Sequence, residues 1–219
     1  MTIEIIFLAL ASTIRPTSLA AVYAILSSDR SRRLLIVYNF SGLAFTVAFG
    51  LLIVWAFNGV NVSSGSDQTE AIAETGGGIV LLAFAVATLT GLVGGPHSED
   101  APKPAGRWGR LLEQKLTVKT AAIAGPLTHI PGLFYLVALN VIVTHQAGVL
   151  VGLVEVLIYN AIWFVLPIAA LALCMVAPEV ARDRVGLING WARRNTRGIV
   201  LLVSIVTGAL LLLRGLSAI

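Results

Sequence analysis

The chain has 219 residues, 57% of them apolar and only 12% charged, with a mean hydropathy of +0.91. A soluble globular domain carries about twice that charged fraction, so a soluble protein is excluded. The net charge of +4 and the pI near 9.6 come from loop clusters of Lys and Arg, which gives no ground for a nucleic-acid partner. A single cysteine, Cys174, permits no intramolecular disulfide and no redox pair, and is expected as apolar packing.

Six segments nearly free of charge follow one another, at 2–27, 34–58, 76–95, 120–144, 156–177 and 199–213. Each approaches the roughly 20 residues that cross a bilayer, the last with help from its flanks. The first has no basic leader (Glu4 is its only early charge) and is too long for a cleavable signal. It is interrupted by "ASTIRPTSLAAVY" at 11–23, which sets Arg15 against Pro16 among Ser12, Thr13, Thr17 and Ser18. The second segment carries "VYNF" at 37–40. The loop 59–75 then holds Asp67, Glu70 and Glu74 without a basic residue. Three glycines at 76–78 lack the GK[ST] of a phosphate-binding loop and are expected to mark a helix start.

The stretch "GPHSEDAPKP" at 95–104 reads as a hinge. After it, "RWGRLLEQKLTVK" at 107–119 gathers Trp108, Leu111, Leu112 and Leu116 on one helical face. Segment four breaks at "AGPLTHIPG" (124–132), where Gly125, Pro126, Pro131 and Gly132 flank Thr128 and His129. Segment five carries Glu155 and "IYNA" at 158–161. "WARRNTR" at 191–197 joins a second Trp to a basic cluster. Both Trp-basic stretches are expected to lie on an anionic leaflet, as topology anchors if nothing more.

Thirteen of the fifteen basic residues fall in the loops after segments one, three and five; only Arg15 and Arg214 remain. The positive-inside rule then puts both termini outside and the basic loops in the cytoplasm. The halves echo one another. "GIVLL" occurs at 78–82 and 198–202, "VYNF" answers "IYNA", and Pro16 answers Pro131, at offsets of 120, 121 and 115. Three spans per half make the second copy inverted, a transporter plan with its site where broken helices meet. The expected fold class is therefore an all-α polytopic membrane protein, six transmembrane helices in a 3+3 inverted repeat with helices 1 and 4 broken. The repeats would be 1–95 and 121–219, joined by a cytoplasmic linker at 96–120.

Arg15 lies about a dozen residues, or roughly 20 Å at helical rise, from the outer end of its segment. A charge at that depth costs roughly 2.5 to 17 kcal/mol and demands a partner, water or an anion. Guanidinium holds phosphate, sulfate or carboxylate in bidentate fashion, and a broken helix offers free N–H groups. Arg15 is thus either an anion-recognition residue or half of a buried ion pair with Glu155, and substrate displacing Glu155 would reconcile the two. The candidate substrate site comprises Ser12, Thr13, Arg15, Pro16, Ser18, Asn39, Thr128, His129, Pro131 and Asn160. Asn39 and Asn160 read equally as interhelical hydrogen bonds. His129 reads as a proton relay or a satisfied structural histidine, and Glu155 as a proton-coupling residue. His97, His129 and His145 are too scattered for a metal centre, and no nucleophile or paired-carboxylate motif appears. Neither cofactor nor enzymatic activity is expected.

The polar break with proline in segment one, "GPLTHIPGLFYLVAL" in segment four and "NGWARRNTRGIVLL" before the last span resemble the Sap/GAP family. These are the sulfolipid- and peptidoglycolipid-addressing proteins of actinobacterial envelopes, within the lysine-exporter (LysE) transporter superfamily. The likeness runs over essentially the whole chain. Relatives often carry a second proline after the Pro-Gly of segment four, where this chain has Leu133-Phe134. The resemblance implies movement of envelope glycolipids or their precursors at the plasma membrane and supplies no residue roles. Taken with Arg15, the leading expectation is a transporter or flippase for an anionic glycolipid or lipid-phosphate. Without a nucleotide site, it would be driven by protons, a substrate gradient or a partner pump. The rivals are an exporter of an amino acid or organic anion, and a non-transporting accessory subunit of a larger lipid exporter. A homodimer is compatible with the small residues Gly148 and Gly152.

Overall fold

The computed structural model describes residues 3–59, 67–92, 116–144 and 149–218. Among them all regular structure is helical, in the order α1 (Ile3–Thr13), α2 (Pro16–Leu26), α3 (Ser31–Gly59), α4 (Asp67–Leu89), α5 (Val118–Thr128), α6 (Leu133–Thr144), α7 (Val149–Trp163), α8 (Val165–Val176) and α9 (Pro178–Ser217). The hinge at 95–104, the linker amphipathic stretch up to residue 115, and His97, His145 and Gly148 lie outside the described residues.

Three stretches are single helices long and apolar enough to cross a bilayer: Ser31–Phe57, Ala71–Leu89 and Pro178–Ser217. Three pairs qualify jointly but are bent, α1 with α2 by 46°, α5 with α6 by 63°, and α7 with α8 by 54°. The chain is an all-α polytopic membrane protein with up to six spans.

Proline accounts for each bend. Pro16 opens α2, and the ring holds the preceding Arg15 in extended backbone (φ −113°, ψ 112°), ending α1 at Thr13. Pro126 sits inside α5, and Pro131 keeps Ile130 out of helical geometry, so α5 stops at Thr128. The third bend is a correction: two broken helices were expected and there are three. Pro167, third in α8, has no N–H to give Trp163 and presses its ring on that carbonyl, which closes α7 at Trp163.

Other boundaries differ for physical reasons. The fifth span opens at Val149 rather than 156, because Glu155 cuts short any charge-free window. The sixth extends back to Pro178, taking the "WARRNTR" cluster into one 40-residue helix. Arg is a good helix former, and hydropathy marks the membrane rather than the helix end. Gly76–Gly78 do not start a helix but lie within α4. A Cβ on Gly78 would stand 2.7 Å from the Leu212 backbone nitrogen, so this glycine admits the close crossing of α9.

Two apolar clusters form the interior. One joins Ile5 and Leu8 of α1, Val54 of α3, Tyr135 and Leu139 of α6, Tyr159 and Trp163 of α7, and Leu211 of α9. The other joins Val22 and Ile25 of α2, Leu35 and Tyr38 of α3, Ala121 of α5, Cys174 of α8 and Val185 of α9. Only α3 and α9 run unbroken through both, and the three bends fall where one cluster gives way to the other. Glu4 of α1 pairs with Arg214 of α9 at 3.1 Å, fastening the far end of the first cluster.

The waist is narrow where α3 crosses α5. A Cβ at Gly125 would meet the Gly42 nitrogen at 2.8 Å and the Tyr38 carbonyl still closer, with backbone that has no room to give. Gly125→Ala is expected to destabilise the protein by about 1–3 kcal/mol through overpacking. Thermal unfolding of the detergent-purified variant against wild type checks this, and an unchanged midpoint would show that the crossing is looser than described.

Candidate functional site

The three bends converge on Arg15. Freed from both α1 and α2, its guanidinium reaches the second bend, where Nη1 donates to the carbonyls of Ile130 (3.1 Å) and Thr128 (3.4 Å). Gly132 makes space for it, since a Cβ there would stand 2.8 Å from Nη2. At the third bend the guanidinium lies over the Trp163 ring, 5.2 Å from its centre, within cation–π range. His129 stacks on Phe164 at 4.2 Å, and Thr13 Oγ1 donates to the Ile162 carbonyl at 3.0 Å, closing the triangle.

These contacts explain how the charge is tolerated. Thr128 and Ile130 expose carbonyls that the end of α5 leaves without intrahelical partners, at the negative end of its dipole. That end supplies about half an elementary charge, less than the full charge of a guanidinium. Among the described residues, no contact of Arg15 is anionic, and Nε–H and Nη2 have no hydrogen-bond partner. The ion pair with Glu155 is not made. That carboxylate, buried in α7, stands eight residues before Trp163, roughly 12 Å along the axis.

Hydroxyls frame the bends on both sides. Tyr159 bonds Ser12 (2.7 Å) and donates to the Leu8 carbonyl (3.2 Å), holding the end of α1. Tyr38 bonds Thr128 (2.8 Å) and Ser18 (3.0 Å), holding the end of α5 to the start of α2. His129 lies 2.9 Å from the Gly125 carbonyl through Nδ1 and 3.2 Å from Ser18 through Nε2. A carbonyl only accepts, so Nδ1 carries the hydrogen and Nε2 is free to accept from Ser18. Both ring nitrogens are thereby engaged.

A cavity of about 250 Å3 adjoins Arg15, walled by Ser12, Arg15, Pro16 and Thr17, by Gly132–Tyr135, and by Phe84, Trp163, Thr196 and Val200. Arg15 is its cation, and most of the remaining wall is apolar. It is not sealed, for Thr17 on its wall is exposed.

Of the expected site residues, Ser12, Arg15 and Pro16 line this cavity, and Thr128 and Pro131 stand at the bend that Arg15 grips. Thr13, Ser18 and His129 lie behind it in hydrogen bonds. Asn39 and Asn160 lie elsewhere, as interhelical ties. Asn39 donates to the Pro167 carbonyl (3.2 Å), and Asn160 to Tyr135 Oη (3.1 Å) and the Val156 carbonyl (2.8 Å). Sequence reasoning missed Tyr38, Tyr159 and Trp163 as site residues, and placed Gly132 only as a flank of the fourth-segment break. The available signals were the tyrosine half of the repeated Tyr-Asn pair and the "WFVLP" at 163–167, where a proline follows two aromatics.

A profile of the Sap family, sulfolipid-1-addressing protein, matches residues 5–217. The chain belongs to this family. Its membership joins the polytopic fold to a lipid-related function at a membrane. Comparison with curated proteins and with solved structures gives no match.

The forked contact of Arg15 sets a test of the site in this Sap-family chain. Lys is a point charge that cannot hold two carbonyls and an indole face together. Arg15→Lys is expected to cost about 1–2 kcal/mol, the worth of one charge-assisted hydrogen bond and part of a cation–π contact. Thermal unfolding reads it, and equal stability would mean the carbonyl contacts contribute nothing.

Proposed function

We propose that the chain is a transporter or flippase that carries the anionic headgroup of a lipid, or of a lipid-linked envelope precursor, across the plasma membrane. It is not an enzyme on this reading. The headgroup binds where the three bends meet. The observation that carries the reading is Arg15, a cation held among neutral acceptors with donors to spare beside a cavity. An anion there would complete the charge balance that the end of α5 leaves partial.

Size argues for a lipid. Sites that bury a whole drug-sized ligand have about 300–1,000 Å3, so a cavity of about 250 Å3 admits a headgroup and leaves acyl chains outside. The family description names a sulfolipid, whose sulfate is a fitting partner for guanidinium.

The alternating-access plan has support in the hydrogen bonds. Tyr159 grips Ser12 near the first bend as Tyr38 grips Thr128 at the second. The tyrosines stand 121 residues apart and the hydroxyl partners 116, close to the offset of the matching sequence stretches. On this reading 1–95 and 121–219 are inverted halves of six spans, with the termini outside and the basic stretches cytoplasmic.

Proteoliposomes with fluorescent nitrobenzoxadiazole-labelled sulfatide, read by dithionite quenching, test the proposal. Wild type is expected to move sulfatide faster than protein-free vesicles, without accelerating labelled phosphatidylcholine. Arg15→Ala is expected to slow it at least about tenfold, the loss of one charge-assisted contact. Movement no faster than in empty vesicles would overturn the reading.

A further inference from the structure

The wall that α9 gives to the cavity is Thr196 and Val200, one turn apart. At 100° per residue, Arg193 and Arg197 fall on that same face, interleaved with them. Both arginines are exposed. Arg197 is held in place, its Nη2 donating at 3.0 Å to the carbonyl of Leu89, the last residue of α4. Phe84 of that same helix is part of the cavity wall. Among the described residues, neither Arg193 nor Arg197 has a carboxylate partner. Two exposed guanidiniums, without a carboxylate partner among the described residues, thus share the helix face that carries Thr196 and Val200 into the wall of the Arg15 cavity.

We infer that Arg193 and Arg197 form a second, outer anion site, where a lipid headgroup is captured before it passes along the Thr196–Val200 face to Arg15. The ligand is the sulfate or phosphate headgroup of a membrane lipid, taken from the leaflet that the basic end of α9 faces. The inference rests on Arg15 being the inner ligand, and its chemistry is distinct. The outer pair works by long-range attraction that salt screens, whereas the inner site works by desolvated, bidentate contact. Each arginine at such a surface contributes about fivefold in affinity.

The test uses the full chain in a neutral maltoside detergent, titrated with dodecyl phosphate at low and high salt and followed by native mass spectrometry. Arg193→Gln, which removes an exposed charge with no described contact, and Arg193→Gln/Arg197→Gln, which keeps a side-chain amide near Leu89, are compared with wild type and Arg15→Ala. The expected result is a roughly fivefold weaker outer-site affinity for the single variant, and for the double a further loss, with one fewer dodecyl phosphate bound than in wild type and a flattened salt dependence. Affinity and salt dependence equal to wild type in both variants would overturn the outer site, leaving the Arg15 reading intact. Undiminished binding in Arg15→Ala would instead overturn the inner site. Inorganic phosphate separates the two sources of the anion. Failure to displace dodecyl phosphate supports a lipid headgroup, and full displacement at equal concentration overturns it in favour of a free anion.

Discussion

A guanidinium half-buried in the middle of a membrane protein must be answered by negative potential, and the neighbouring structure is arranged to give just part of it. The end of α5 supplies two carbonyls, Trp163 its ring face, and nothing among Arg15's described contacts supplies a full negative charge. Closing the balance inside the protein would have needed one carboxylate at the bend. Glu155 is buried on α7, two turns away from Trp163. On the proposed reading an anion meets the remaining imbalance, with Arg15 as its ligand rather than a strut.

That one contact depends on all three bends. Without Pro16, Arg15 would sit in a closed helix. Without Pro126 and Pro131, the Thr128 and Ile130 carbonyls would be spent within a helix. Without Pro167, Trp163 would not end α7 beneath the guanidinium. Two tyrosines and two serines then hold the loosened ends, so that backbone irregularity at this depth stays satisfied. The unbroken α3 and α9 pass both clusters and give the frame against which the bent pairs are set. A lipid-related family, an open cavity of headgroup size and a cation beside it are then consequences of one arrangement.

Much of this was legible in the sequence, and the limits have physical causes. Hydropathy finds what the bilayer requires, so the apolar runs were visible, while the start of the fifth span was hidden by Glu155 and the long reach of α9 by its arginines. Prolines beside polar residues announced the first two bends. Pro167 did not, because it stands in an apolar run with no hydroxyl or charge to mark it. Arg15 was conspicuous as an intramembrane charge. Its partners were not, since carbonyls belong to no residue type and Trp163 reads as core. The asparagines of the repeated Tyr-Asn pairs drew notice as polar groups, yet it is the tyrosines that reach the bends.

The measurement that bears most directly on Arg15 as a headgroup ligand is native mass spectrometry of the lipids that accompany the purified protein, for wild type and Arg15→Ala. An anionic lipid retained by wild type and lost from Arg15→Ala is the expected result. The same lipids on both proteins, with Arg15→Ala merely less stable, would contradict it and reduce the arginine to a tie for the end of α5.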